Sequence, residues 1–188
     1  MKHKKITFGL CVFFLVILAL CVLRHVFCED AFRLAAKGDL IALNFCDEKK
    51  FFTPNRLGRT PIFYSANPQI IDFFMRRGVD IDRCIDYEGV SLLECFCMDN
   101  KTDNIKKILP HVKNINHQDV IGGTALVWAI IRENYEIVEL LLSNGADPAL
   151  QLSNGMIAKD VASKNVNKNQ KIIDLIDKYW QRNLPDGK

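Results

Sequence analysis

The sequence predicts an all-α chain: a helical-repeat solenoid behind one N-terminal transmembrane helix. Three observations point there. Glycine-led words recur at Gly58 ("GRTPIFYSA"), Gly89 ("GVSLLECFC"), Gly122 ("GGTALVWAI") and Gly155 ("GMIAKDVAS"), at intervals of 31, 33 and 33 residues. Each word is followed by a second apolar run, so each unit reads as two helices. Ahead of them, basic "MKHKK" leads directly into an uncharged apolar run of 18 residues, 6–23.

Taken in order, that run comes first. About 20 apolar residues span a hydrocarbon core, whereas the apolar part of a cleaved signal peptide is about 7–15 residues long. Two readings stay open: an uncleaved signal anchor within residues 1–28, or cleavage near residue 28. Cys28 invites a lipid attachment, but Val26 and Phe27 are bulkier than the residues that precede a lipidated cysteine. The basic cluster should stay in the cytoplasm. Either reading puts residues 29–188 on the far side of the membrane, in the periplasm if the cell is bacterial. The first 28 residues hold Lys2, Lys4, Lys5 and Arg24 and no acid, so the chain's 25 basic and 22 acidic residues fall to 21 and 22 in the remainder. The body therefore has no basic surplus for nucleic acid.

Within the body, residues 29–181 divide into units near 29–55, 56–86, 87–119, 120–152 and 153–181, followed by a polar tail, 182–188. The first unit is a degenerate one, with "DAFRLAAKGDLIALNFC" as its helices, and its Phe32, Leu34 and Leu40 should meet the next unit. Thr60 and Thr124 are expected to accept from first-turn amides as helix caps. Pro61 suits the first helical position, where no N–H is needed. Gly78 and Gly145 are placed to end second helices in the left-handed conformation. Ile137, Leu140 and Leu141 form the expected buried stripe of the helix in "EIVELLL". The unit at Gly58 is about three residues short between its helices, and Pro110 and Val112 replace a helix end and its glycine in the next.

A period near 33 with a Thr60-Pro61 pair and a Gly145-Ala146-Asp147 ending resembles the ankyrin repeat. Residues 122–148 fit the pattern without a gap. The resemblance implies a stack of four to five repeats binding protein through the tips between units and the exposed positions of the first helices. Those tips are Asn55, Arg56 and Leu57; Asp86, Tyr87 and Glu88; Asp119, Val120 and Ile121; Ser153 and Asn154. The first-helix positions are Tyr64, Cys95, Trp128 and Val161, with Asp99, Arg132 and Glu133 near the turns. Trp128 should lean toward Tyr64 and Tyr87. It serves either as an interface aromatic or as packing against the neighbouring repeat.

No catalytic, cofactor or metal site is expected. His111 and His117 lie six apart without carboxylate or thiol at ligand spacing, Cys95 and Cys97 point to different helix faces, and no phosphate loop or nucleophile elbow occurs. Asn100-Lys101-Thr102 has the form of a glycosylation acceptor, but so short a match arises often by chance and a polar inter-helix turn accounts for it better. The expected function is that of a non-enzymatic, anchored or exported binding module. One form is an immunity-type inhibitor of a secreted toxic effector. Another is a docking subunit of an envelope membrane complex.

Overall fold

A computed structural model describes residues 31–165 and 169–183. The expected anchor or signal segment, 1–28, and residues 184–188 of the tail lie outside the described residues. Among the described residues no helix is long and apolar enough to cross a membrane.

The described chain is a two-layer stack of helix pairs. The first unit holds α1 (Ala31–Lys37) and α2 (Leu40–Asn44), then a 3-10 turn, Glu48–Phe51. The second holds a 3-10 helix, Pro61–Tyr64, and α3 (Pro68–Arg76). The third holds α4 (Leu92–Met98) and α5 (Thr102–Ile108), which tightens into a 3-10 turn at Leu109–His111. The fourth holds α6 (Ala125–Ile131) and α7 (Tyr135–Ser143), the fifth α8 (Ala158–Lys164) and α9 (Gln170–Asn183). First helices pack on first helices and second on second, so each unit's apolar face is covered by its neighbours.

The short unit at Gly58 has a physical cause. Pro68 confines Asn67 to extended backbone (φ −156°, ψ 167°), which stops the first helix after one 3-10 turn. Asn67 then caps α3 by accepting from the Ile70 amide at 3.2 Å. Phe51, Phe73 and Phe74 meet edge to face at 5.3–5.5 Å between centroids, the geometry that the ring quadrupole favours. Asn104 of α5 reaches back to donate to the buried carbonyl of Ser65 at 2.9 Å.

Several expected local devices are present. Pro61 is at a helix start and buried. Gly78 and Gly145 have φ of 84° and 91°, and the next amides, of Val79 and Ala146, donate back to Phe74 and Leu141 in the pattern that satisfies helix-end carbonyls. Asp147 accepts from the Ala149 amide at 2.8 Å, and its own amide donates to Asn116 of the preceding unit. At Val112, where the third unit lacks its glycine, the backbone is extended (φ −78°, ψ 120°) and the 3-10 turn ends the helix instead.

Two expectations need correction. Thr60 sits at the cap position but its side chain makes no capping hydrogen bond. Its buried hydroxyl has only the weak Cys84 thiol within reach. A four-residue 3-10 turn presents its amides differently from an α-helical first turn. On α7 the buried residues are Ile137, Val138, Leu141 and Leu142, with Leu140 only partly buried. The helix is covered on two sides, which turns its buried face toward Val138.

Thr124 does cap α6, accepting from the Val127 amide at 3.3 Å. Thr124→Ala is expected to lower stability by about 1 kcal/mol, read from the urea midpoint at unchanged slope. The same change at Thr60 should cost less, because no cap bond is lost there.

Candidate partner-binding surface

The tips are built by one repeated device. At each of three tips an Asn or Asp accepts two backbone amides, two and four residues ahead, on its Oδ1. Asn55 accepts from Leu57 and Arg59, Asp86 from Glu88 and Val90, and Asp119 from Ile121 and Gly123, all at 2.7–3.2 Å. Such side-chain to backbone bonds close a turn without secondary structure. The second polar atom of each anchor is then met by a different side chain. Asn55 Nδ2 donates to the Tyr64 hydroxyl at 2.9 Å, Arg59 Nε donates to Asp86 Oδ2 at 2.9 Å, and Trp128 Nε1 donates to Asp119 Oδ2 at 3.1 Å.

Consecutive tips are joined by backbone hydrogen bonds. The Tyr87 amide donates to Leu57, Val120 to Glu88 and Ser153 to Ile121, at 3.0, 3.3 and 2.9 Å. The tip glycines make this approach possible. A Cβ on Gly58 would sit 2.7 Å from the Tyr87 amide, and one on Gly122 would sit 2.9 Å from the Leu152 Cα; both have positive φ. Gly123 is needed for another reason: a Cβ there would lie 2.7 Å from Asp119 Oδ2 and 3.0 Å from Trp128 Nε1.

With the polar groups turned inward, apolar side chains face out. Leu57, Tyr87, Val120 and Ile121 are 56%, 73%, 71% and 50% exposed, which makes them a row along successive tips and not part of the core. Glu88 and Arg132 are also exposed. Trp128 and Tyr64 are half-buried, and Tyr64 meets Phe32 edge-on at 5.6 Å. Among the described residues no ring contact joins Tyr64, Tyr87 and Trp128; each is held at its own tip or by the preceding unit.

Four of the expected surface positions point inward. Asp86 and Asp119 are 7% and 8% exposed, because they are the tip anchors. Cys95 and Val161 are buried in the contacts between first helices. Two pairings were not foreseen. The Arg59–Asp86 pair ties the second unit to the third. His117 Nδ1 lies 3.2 Å from Oε1 of the fully buried Glu94. Ser91 and Glu94 form a capping box at the start of α4, and the sequence does carry its Ser-x-x-Glu signature.

Cys84, Cys95 and Cys97 are buried free thiols. Burial pushes the Cys84 and Cys95 thiols up to about 11 and raises Cys97 as well, so none supplies a thiolate at neutral pH. Cys46 is disulfide-bonded. Among the described residues no cluster of His, Cys, Asp and Glu could hold a metal. Asn100 occupies a left-handed turn (φ 56°) and accepts from Asn134 at 3.3 Å, as a polar turn residue does.

Helix pairs stacked by tips of this kind define a repeat solenoid, and residues 62–151 match the family model for ankyrin repeats, in three copies. The helix pairs at 31–44 and 158–183 lie beyond the matched residues and continue the same stack. The chain is 27% identical over 123 residues to an ankyrin repeat protein of Acanthamoeba polyphaga mimivirus, covering 62% of this chain and 16% of that one. It is 31% identical over 107 residues to an ankyrin repeat protein of Rickettsia bellii, covering 54% and 57%. It is also 34% identical over 83 residues to human BCL-6 corepressor-like protein 1, covering 44% and 5%. The chain spans less than two thirds of the length of each of these relatives.

Proposed function

We propose that this is an exported or membrane-anchored, non-enzymatic protein that binds another protein along its row of tips. The observation that carries the reading is the exposed apolar row Leu57, Tyr87, Val120 and Ile121, flanked by Glu88 and Arg132. A contiguous row of large apolar side chains on fixed backbone is costly to leave in water and binds at low entropic cost. Export is supported by the apolar run at 6–23, which follows a basic N-terminus.

In its narrower form the partner is a secreted toxic effector, neutralised by occlusion, with the anchor holding the inhibitor where the effector arrives. Co-expression should then protect cells from the effector encoded beside it. Stable co-purification with membrane proteins and no protection would favour a docking subunit of an envelope complex instead. For the surface itself, the triple change Tyr87→Ser, Val120→Ser and Ile121→Ser is expected to weaken binding of the identified partner at least tenfold at an unchanged unfolding midpoint. Unchanged affinity would refute the tip row. For the topology, a C-terminal reporter active only outside the cytoplasm should be active, and a reporter active only inside should be silent. The reverse pattern removes the export reading.

A further inference from the structure

The first described unit closes the stack with an apolar and basic face. An end unit ordinarily turns a polar face to solvent, yet Ile41 is 76% and Phe45 45% exposed. They lie four apart, so they share one side of α2. The opposite side, with Ala42 and Leu43, is buried, and Asn44 accepts from Arg77 of the second unit at 3.0 Å. On α1 the arrangement repeats with charge. Ala31, Leu34 and Ala35 are buried, and Phe32 meets Tyr64 of the second unit. Arg33 and Lys37, again four apart, are exposed on the other side. Neither makes an ion pair with a described residue. Gly38 and Asp39 alone separate the two helices, and so short a link makes them antiparallel neighbours. The basic and apolar stripes therefore run side by side, facing away from the second unit. The acids of this unit are occupied: Asp39 caps α2 through the Ala42 amide at 2.9 Å, Asp47 accepts from the Lys49 amide at 3.1 Å, and Glu48 pairs with Arg77 at 2.9 Å.

We propose that this face rests on an anionic bilayer surface, with Ile41 and Phe45 in the boundary between headgroups and acyl chains and Arg33 and Lys37 on lipid phosphates. A lipid surface is bound by buried apolar area together with attraction to anionic headgroups, and one helical face here supplies both. The long basic stems lie along apolar surface while their charged ends stay in water. A second copy fits the face less well. Pairing it with itself would set Arg33 and Lys37 against their own counterparts, with no uncommitted carboxylate to meet them. Chain length adds a second argument. The apolar run ends at residue 23, and Ala31 follows eight residues later; fully extended, that is at most about 28 Å. With the run in the bilayer the first unit stays within that distance of the surface, so a modest affinity holds it there. Docked by its end, the stack points away from the membrane and leaves the tip row Tyr87, Val120 and Ile121 open to a partner.

The inference rests on the membrane-anchored form of the proposed function, and the test separates the two. Full-length protein is reconstituted in vesicles of phosphatidylcholine alone and of phosphatidylcholine with phosphatidylglycerol, and hydrogen exchange is read peptide by peptide. The α1 and α2 amides should exchange about tenfold more slowly in the anionic vesicles, while those of α8, at the far end of the stack, exchange alike in both. Arg33→Gln combined with Lys37→Gln changes only exposed side chains and should return α1 and α2 to their rate in phosphatidylcholine. Equal exchange in the two lipids overturns the docking, and so does protection that survives the double change. Protection in both lipids that grows with protein density would put a second copy on this face and overturns it as well. Alkaline carbonate extraction reads the anchor separately. A chain that resists extraction without lipid-dependent protection keeps the anchor and loses the docking; one that is extracted yet protected keeps the docking and loses the anchor.

Discussion

Asp119→Ala is expected to destabilise the stack by roughly 3–5 kcal/mol, since each buried donor left without an acceptor costs about 1–3 kcal/mol. The carboxylate is 8% exposed. It closes the tip through the Ile121 and Gly123 amides and holds Trp128 Nε1 on its other oxygen. Removal leaves two amides and an indole N–H to find other partners. Urea unfolding of Asp119→Ala, Trp128→Phe and the double variant resolves the contributions. Trp128→Phe keeps most of the ring and loses the hydrogen bond, so about 1–2 kcal/mol is expected. The double variant should cost less than the sum, because both changes break one interaction. Full additivity would show that the pair does not act as a unit. The same variants separate two roles for Trp128: if Trp128→Phe lowers stability and leaves partner affinity unchanged, the indole positions a tip and does not touch the partner.

Glu94→Gln is expected to flatten the pH dependence of stability. Burial raises the Glu94 carboxyl above its ordinary value of 4.5, against the opposing pull of Ser91 and His117. Ser91 reaches it from the start of α4, His117 from the loop before the next tip, and Cys97 of the same helix faces it as a neutral thiol. A carboxyl that holds its proton more tightly when folded contributes stability that is fully present below 4.5 and is lost as pH rises through the raised folded value. The native chain should therefore gain stability relative to Glu94→Gln as pH falls toward 4.5 from above. Equal slopes for the two proteins in that window would show that Glu94 is not the group responsible. Glu94→Ala also loses the capping box, so about 1 kcal/mol is expected from that loss alone.

Much of this stack was legible residue by residue. Thr124, Pro61, Gly78 and Gly145 act locally, through one cap, one missing N–H and two left-handed turns, and local geometry repeats wherever its sequence word repeats. The tips were legible as positions, and Tyr87, Val120 and Ile121 do face outward. Their anchors were not. An aspartate in a tip reads as a solvated surface residue until the chain closes on it, and whether Asp86 and Asp119 are exposed depends on what their second oxygen meets. The same holds for Cys95 and Val161, which sit at the exposed position of the family pattern but are covered because first helices stack closely at both.

By itself the sequence determined the period, the helix pairs, the turns that end them and the presence of an apolar run ahead of the body. These follow from periodicity and backbone preference, which act over a few residues. Tertiary structure alone decided what faces the solvent. Which of two neighbouring helices covers a side chain, whether Arg59 or Trp128 completes a tip anchor, and that Glu94 is buried against His117 all depend on residues nine to 27 positions apart brought within about 3 Å. Trp128 shows the difference: its helix was evident from its neighbours, and its hydrogen-bond partner only from the fold.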